Sequence, residues 1–316
     1  MFIVTACPKI QCKTIRAAHD LVFLMTNSKY ETRFVTANGL TFETIIAGKG
    51  GTKFALLLHG FPEFNLSWRF QVPFLVALGY EVWVPNLRGY GASSRPIGRE
   101  AYRLPALLGD VAELIDAGSA GRPVTLMAHD WGAILAWAFA ADRVRQLDRL
   151  VIMNVPHPAR MAEGLRTWAQ FKRSWYVFFF QLPWLPEALL GARGASAIGQ
   201  AFYKMAVDKS HFTPDVLDAY RANAAIPGAL TAMINYYRAA VQGKDFARYR
   251  RTAVAPIVTP TLMIWGEADT ALGVELTENY EGLVADLTVV RLPNVSHWVQ
   301  QEAPAKVNDI LKTWMG

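Results

Sequence analysis

A chain of 316 residues is long enough for one large α/β domain carrying an insertion, or for two modest domains. Hydrophobic residues at 52% against 18% charged exclude an intrinsically disordered chain, and 23 Gly with 17 Pro exclude collagen-like and low-complexity sequences. The net charge of +6 comes from one stretch: residues 157–251 hold 13 Lys and Arg against 6 Asp and Glu, whereas the remainder holds 19 against 20. No RNA- or DNA-binding motif accompanies that excess, so it reads as a solvated basic face and no nucleic-acid partner is expected. Aromatic residues at 12%, including 10 Trp, point to an apolar pocket.

Residues 1–32 show no clear period and no glycine, and read as an N-terminal extension, either a tail or a short helix. Cys7 and Cys12 are the only cysteines, which excludes a disulfide framework or a zinc site for the globular part. Val4-Thr5-Ala6-Cys7 matches a lipoprotein cleavage box only superficially, because three residues precede it, with no basic start and no apolar run. The apolar run Leu21–Met25 is too short to span a bilayer. A soluble, cytoplasmic protein without a stable membrane anchor is the expectation.

From Arg33 the pattern changes. Arg33–Thr36 and Leu40–Ile46 flank Asn38-Gly39 and predict a hairpin. Short apolar runs bounded by Gly or Pro follow at Phe54–Leu58, Glu81–Pro85, Val124–Ala128, Leu150–Asn154, Thr261–Trp265 and Leu287–Leu292, as expected of strands covered on both faces. Helical patterns such as Ala106–Asp116 and Gly132–Ala141 lie between them. Such alternation implies an α/β fold built on a mostly parallel sheet with right-handed crossovers. Between Pro156 and Pro256 the alternation stops, and aromatic helical patterns at Trp168–Phe180 and Asp215–Asn223 take over, with prolines as breakers. The predicted organisation is a core of residues 33–156 and 252–316, interrupted by a helical cap of residues 157–251.

The segment Val124–Ala133 runs from an apolar strand through Ala128-His129-Asp130-Trp131-Gly132 into a helix. Small residues two before and two after the apex are what a nucleophile elbow, a tight strand-to-helix turn, requires. The apex is usually Ser; here it is Asp130. A carboxylate is a poor acyl nucleophile but displaces a leaving group at saturated carbon, leaving an alkyl ester on the enzyme. The helix N-terminus would help keep Asp130 ionised, and backbone N–H groups would hold one carboxylate oxygen and later the tetrahedral oxyanion. Taken alone, Asp130 would serve equally well as an ordinary helix N-cap.

Companion motifs favour the chemical reading. His59-Gly60-Phe61-Pro62 follows a strand, so the N–H of Phe61, with that of Trp131, forms the candidate oxyanion hole. Trp265-Gly266-Glu267-Ala268-Asp269 puts acids past a later strand, and Asn294-Val295-Ser296-His297-Trp298 does the same with a histidine. Nucleophile, acid and His then stand in α/β-hydrolase order. His297 would take a proton from water and Asp269 would fix its tautomer, with Glu267 as the rival acid.

With these motifs, and with Arg88-Gly89-Tyr90-Gly91-Ala92-Ser93 and Asn154-Val155-Pro156-His157-Pro158, the chain resembles an α/β-hydrolase of the epoxide hydrolase family over about residues 33–315. The resemblance implies two cap tyrosines that hold and protonate the epoxide oxygen. One falls in Arg173-Ser174-Trp175-Tyr176, before Phe180–Trp184, and the other in Asn235-Tyr236-Tyr237-Arg238, which points to Tyr176 and Tyr237. A phenol of pKa about 10 suits this role, since the alkoxide from ring opening is far more basic. The implied reaction converts an apolar epoxide and water to a vicinal diol, with no metal or organic cofactor, in a monomer or homodimer. Phe61, Trp131, Trp175, Phe179 and Trp298 are expected to line the substrate cavity. Trp168, Trp175, Phe178, Phe179, Phe180 and Trp184 are expected partly to build the core of the cap.

Haloalkane dehalogenases share the Asp nucleophile and the Asp-Trp pair, but Phe61 stands where their halide-binding Asn would be, and Asn154 where one dehalogenase group carries its acid. Haloacetate dehalogenases favour Arg where this chain has Trp131. A silent α/β-hydrolase that only binds a small ligand would show a broken triad or lack the tyrosines. A serine esterase would need an elbow around Ser93, Ser94 or Ser296, and none has one.

Overall fold

The computed structural model describes residues 30–249 and 255–316. Residues 1–29, with both cysteines and the run Leu21–Met25, lie outside the described part. Eight strands form one sheet: β1 (Glu31–Ala37), β2 (Leu40–Ala47), β3 (Lys53–Leu58), β4 (Tyr80–Pro85), β5 (Val124–His129), β6 (Arg149–Met153), β7 (Thr261–Gly266) and β8 (Leu287–Leu292). Their order is β1-β2-β4-β3-β5-β6-β7-β8. β1 and β2 pair antiparallel, β2 pairs antiparallel with β4, and every later pairing is parallel. The hairpin turns on Asn38 and Gly39, both at positive φ (49° and 69°), as a two-residue turn that continues the strand twist demands. β1 starts at Glu31, so the strand begins two residues before the change of pattern at Arg33.

The inner apolar strands arise because both faces are covered, whereas β8, expected to be covered likewise, stands at the sheet edge with Thr288 and Arg291 exposed. On β3, Phe54, Leu56 and Leu58 enter one hydrophobic cluster while Ala55 and Leu57 enter the other. The same alternation holds on β6, with Leu150 and Ile152 against Val151 and Met153, and on β7, with Met263 and Trp265 against Leu262 and Ile264. Helices Leu104–Ser119 and Trp131–Ala141 cover the first face, and Gln71–Ala77 with Pro304–Met315 the second.

The chain leaves β3 toward β4 on one side and returns to β5 on the other, so the strand order reverses between β3 and β5. In open parallel sheets the crevice beyond the carboxyl ends at such a reversal is where ligands bind. That edge carries His59–Phe61 after β3, Asp130 after β5, Asn154 after β6, Asp269 beyond β7 and His297 beyond β8.

Between β6 and β7 the described residues form helices and no strand: Pro158–Gly164, Trp168–Arg173, Trp175–Phe179, Leu185–Met205, Pro214–Ala224 and Ala229–Gln242. The single helical pattern expected over Trp168–Phe180 is two short helices, broken at Ser174, whose side chain turns inward to accept from Gln170 Nε2 at 3.0 Å. Leu185–Met205 also breaks, at Ala192–Ala195, where Arg193, Gly194 and Ala195 adopt positive φ. The helices rest on the core through Phe202, which packs against Tyr220 (ring centroids 4.0 Å apart) and Trp298 (4.3 Å). The Tyr236 hydroxyl donates to the Arg88 carbonyl at 2.9 Å.

Arg88 fixes the loop beneath that contact. Its guanidinium makes a two-pronged ion pair with Asp110, the Nε–Oδ2 bond being 2.6 Å, and both side chains are buried. Asp110 also accepts from Asn38 Nδ2 at 2.8 Å, tying the hairpin to the same point. Replacing Asp110 by Ala strands a buried cation, and the expected cost is about 3–5 kcal/mol. Urea denaturation of Asp110→Ala checks this; a midpoint unchanged from the parent would show that the pair is dispensable.

Candidate active site

Asp130 sits at φ 47°, ψ −121°, between the last residue of β5 and the first of the following helix. A residue with a Cβ pays about 1–3 kcal/mol for such a conformation, so the surroundings must enforce it. They do so by close approach. A Cβ on Gly132 would strike the Leu58 and His59 carbonyls, and the Gly132 N–H donates to His59 O at 3.0 Å. A Cβ on Gly60 would overlap the Asp130 side chain itself. Absence of that atom lets the Phe61 N–H reach Asp130 Oδ1 at 2.6 Å. Trp131 opens the helix, so its N–H lies outside the helical ladder.

The other carboxylate oxygen, Oδ2, lies 3.5 Å from His297 Nε2. His297 Nδ1 bonds Asp269 Oδ2 at 2.7 Å. Asp269 is held on every side: Oδ2 also accepts from Asn154 Nδ2 at 2.8 Å, and Oδ1 accepts from the N–H groups of Ala271 (2.7 Å) and Leu272 (3.0 Å). Glu267, the rival acid, is exposed, whereas Asp269 is buried. Burial alone would raise the Asp130 and Asp269 carboxyls, but the His297 imidazolium and these N–H donors hold both below the usual carboxylate value. Burial likewise acts to depress His297, yet Asp269 and then Asp130 outweigh it and push the imidazole up to about 10.

Beneath this triad lies a pair that no sequence motif singles out. Glu63 is fully buried. Its Oε2 accepts from the Gly60 N–H (3.0 Å) and meets His129 Nδ1 (2.7 Å), while Oε1 accepts from Gln300 (3.0 Å) and Gln301 (2.8 Å) side-chain amides. His129 Nε2 faces the carbonyl oxygen of His297 at 2.8 Å. Both ring nitrogens of His129 thus meet an oxygen, which fixes the ring between the two loops. His59 plays a different part, in which its Nε2 accepts from the Leu87 N–H at 3.0 Å and burial lowers its pKa to about 4. The one local signal for Glu63 is an acid directly after Phe61-Pro62 in an otherwise apolar loop. Asn154 gains a role only from the structure. At φ 47° it accepts from the Gly266 N–H (2.9 Å) while donating to Asp269.

Over Asp130 lies a cavity of about 280 Å³, lined by Phe61, Tyr176, Phe179, Phe180, Tyr237 and Trp298 among others. Tyr176 and Tyr237 meet edge to face with ring centroids 6.0 Å apart. The Tyr237 ring is wedged by Phe61 (5.4 Å), Phe180 (4.9 Å) and Trp131 (5.0 Å). Burial and the nearby Asp130 charge raise both phenols above their ordinary value, so they stay neutral. Arg238 locks the two segments together, donating to the Phe180 carbonyl (3.0 Å), the Leu182 carbonyl (2.6 Å) and Glu187 (2.6 Å). Of the expected cavity residues, Phe61, Trp175, Phe179 and Trp298 line it, and Trp131 stands behind Tyr237, outside the wall. Among the described residues no group of three His, Cys, Asp or Glu side chains clusters as metal ligands would.

The aromatic cap residues build the cap core only in part, as expected, and Trp175, Phe179 and Phe180 line the cavity. Phe180 is buried, but Trp168, Trp175, Phe178 and Trp184 are exposed. Polar anchors take their place: the buried Gln170 donates to Ala271 O (2.9 Å) and accepts from the Gly273 N–H (3.1 Å), beside the Asp269 loop.

The α/β hydrolase fold family matches residues 56–304. Human "Epoxide hydrolase 4" is 35% identical over 286 residues, an overlap of 88% of this chain and 76% of that protein. The Bacillus subtilis "AB hydrolase superfamily protein YfhM" is 34% identical, covering 90% and 97%. The crystal structure of the Bacillus megaterium epoxide hydrolase in complex with an inhibitor superposes with a TM-score of 0.81 at 29% identity, covering 90% of this chain and 99% of that one. With this sheet, this elbow and these relatives, the chain belongs to the epoxide hydrolases of the α/β-hydrolase fold family.

Proposed function

We propose that the chain converts an apolar epoxide to a vicinal diol through a covalent ester on Asp130. The observation that carries this reading is a carboxylate at the elbow whose Oδ1 is pinned by the Phe61 N–H while Oδ2 faces a cavity roofed by two phenols. Oδ2 attacks an epoxide carbon, the carbon–oxygen bond of the ring breaks, and Tyr176 and Tyr237 stabilise and protonate the departing alkoxide. Water then attacks the ester carbonyl, giving its proton to His297 Nε2. The Phe61 and Trp131 N–H groups stabilise the tetrahedral oxyanion, and collapse releases the diol. Residues 157–251 act as the cap that supplies the tyrosines and the apolar wall. Apart from these groups, Arg173 and Thr270, the cavity lining is apolar, which suits a lipophilic substrate.

The charge arrangement times the base. In the free enzyme two carboxylates face His297 and keep it protonated. Ester formation neutralises Asp130 and removes one of them, so the imidazolium becomes more acidic, sheds its proton and becomes a base only once there is an ester to cleave. That proton restores the phenol that was spent on the alkoxide.

Three outcomes test the scheme. A single turnover in heavy-oxygen water should give unlabelled diol, because its new oxygen comes from Asp130; label in that first diol would rule out the ester. Tyr176→Phe or Tyr237→Phe should slow ring opening by about 10²-fold or more, within the range of a lost acid catalyst, and the double variant should nearly abolish it. Stopped-flow traces that match the parent in both single variants would remove the phenols from the mechanism. Finally, ester hydrolysis should rise with pH and level off well below pH 10, while ring opening stays flat across neutral pH. A hydrolysis midpoint near 10 would mean that the Asp130 charge does not govern His297.

A further inference from the structure

The aromatic side chains on the outer face of the cap have no partner among the described residues that explains them. Trp168 is 72% exposed and Trp175 63%, with Leu165, Phe171, Phe178 and Leu182 also open to solvent. They are not scattered: Trp168 stacks on Phe171 (5.9 Å), Phe171 meets Phe178 (5.1 Å), and Trp175, three residues before Phe178, lines the mouth of the catalytic cavity. Contiguous apolar patches of this kind mark interaction surfaces rather than ordinary solvated ones. The charges around the patch are one-sided. Between residues 158 and 205 the only acids, Glu163 and Glu187, sit in ion pairs with Arg160 and Arg238. Arg166, Lys172, Arg193 and Lys204 are exposed and make no ion pair among the described residues.

We propose that this face docks on an anionic phospholipid bilayer, with Trp168, Phe171, Trp175 and Phe178 in the headgroup region and Arg166 and Lys172 against the lipid phosphates. Trp and Phe beside unpaired cations form the composition that settles at a membrane interface. Each such cation strengthens attachment to an anionic surface roughly fivefold. A second copy of the chain fits the face poorly, because its own Arg166 and Lys172 would meet like charges. The attachment is peripheral, since among the described residues no helix is long and apolar enough to cross a membrane. Docking turns the cavity mouth at Trp175 toward the lipid, where an apolar epoxide concentrates; this consequence rests on the proposed hydrolase activity.

Co-sedimentation of the full chain with vesicles tests it, using phosphatidylcholine alone or mixed with phosphatidylglycerol. Binding should favour the anionic vesicles by about tenfold or more and weaken steeply at high salt, as screened charge requires. Trp168→Ser with Phe171→Ser should reduce it about tenfold or more, and Arg166→Glu with Lys172→Glu should abolish the anionic preference. Both pairs should leave turnover of a small water-soluble epoxide unchanged, because none of the four residues touches the site. No binding, equal binding to both vesicles, or binding untouched by the substitutions would overturn the proposal. A dimer in sedimentation velocity that Trp168→Ser splits would overturn it too, by showing a second copy on this face. Lost vesicle binding with intact turnover sinks the docking alone, whereas vesicle binding without turnover of any epoxide sinks the hydrolase reading alone.

Discussion

Holding the Asp130 carboxylate ionised and aimed, while largely withdrawn from water, is the constraint around which the rest of the structure is arranged. A buried ion without compensation costs several kcal/mol, and the elbow conformation adds about 1–3 kcal/mol of strain. Compensation comes from the Phe61 N–H at 2.6 Å and the His297 imidazole at 3.5 Å. Each demands something further. The N–H reaches the carboxylate only because Gly60 has no side chain there, and His297 stays charged because Asp269 sits behind it as well as Asp130 in front. Asp269 in turn needs Asn154 and two backbone N–H groups. The sheet explains why all of these meet: β3, β5, β6, β7 and β8 deliver them from the same edge.

Glu63 and His129 extend this logic below the triad. Their remaining bonds reach the Gly60 loop, the His297 carbonyl and, through Gln300 and Gln301, the short helix Val299–Glu302 that follows. Loops carry no ladder of their own hydrogen bonds, so sub-ångström placement of Phe61 N–H against Asp130 and of His297 against Asp130 needs such cross-links. Buried polar contacts add little net stability compared with apolar packing but are directional. Here direction is what matters.

The strands were legible because burial on both faces writes itself as uninterrupted Val, Leu, Ile and Met, and the elbow because close packing leaves only Ala128 and Gly132 around its apex. The order Asp130, Asp269, His297 was legible for the same reason that the fold was, since each follows a recognisable strand. Glu63 and His129 were not, because their meaning lies in a contact across 66 residues that no local pattern records. The break at Ser174 was hidden too: apolar spacing across Trp168–Phe180 suits one helix, but the inward-facing residues are Gln170 and Ser174, which satisfy each other and the Ala271–Gly273 backbone. Aromatic density was therefore misleading about this one segment, whose buried positions before Phe180 are Gln170 and Ser174, while the cap's core is built by aromatics elsewhere such as Phe202, Tyr220 and Tyr236.

That exchange also makes the two tyrosines unequal. Tyr237 stands on Ala229–Gln242, whose neighbour Tyr236 is buried against Trp131, Tyr90 and Tyr102, so moving it means exposing aromatic surface. Tyr176 stands on a five-residue helix attached through Gln170, Ser174 and Arg238. Water replaces hydrogen bonds of that kind at a net cost of about 0.5–1.5 kcal/mol each, with the higher end and beyond for the charged donor. Exposing a packed aromatic side chain costs about 1.5–3 kcal/mol in lost burial alone. In the proposed reaction the epoxide oxygen would be gripped between a phenol anchored by packing and one anchored largely by replaceable polar pins. The weaker side of the grip is the side that carries Trp175 at the cavity mouth, where a substrate has to enter.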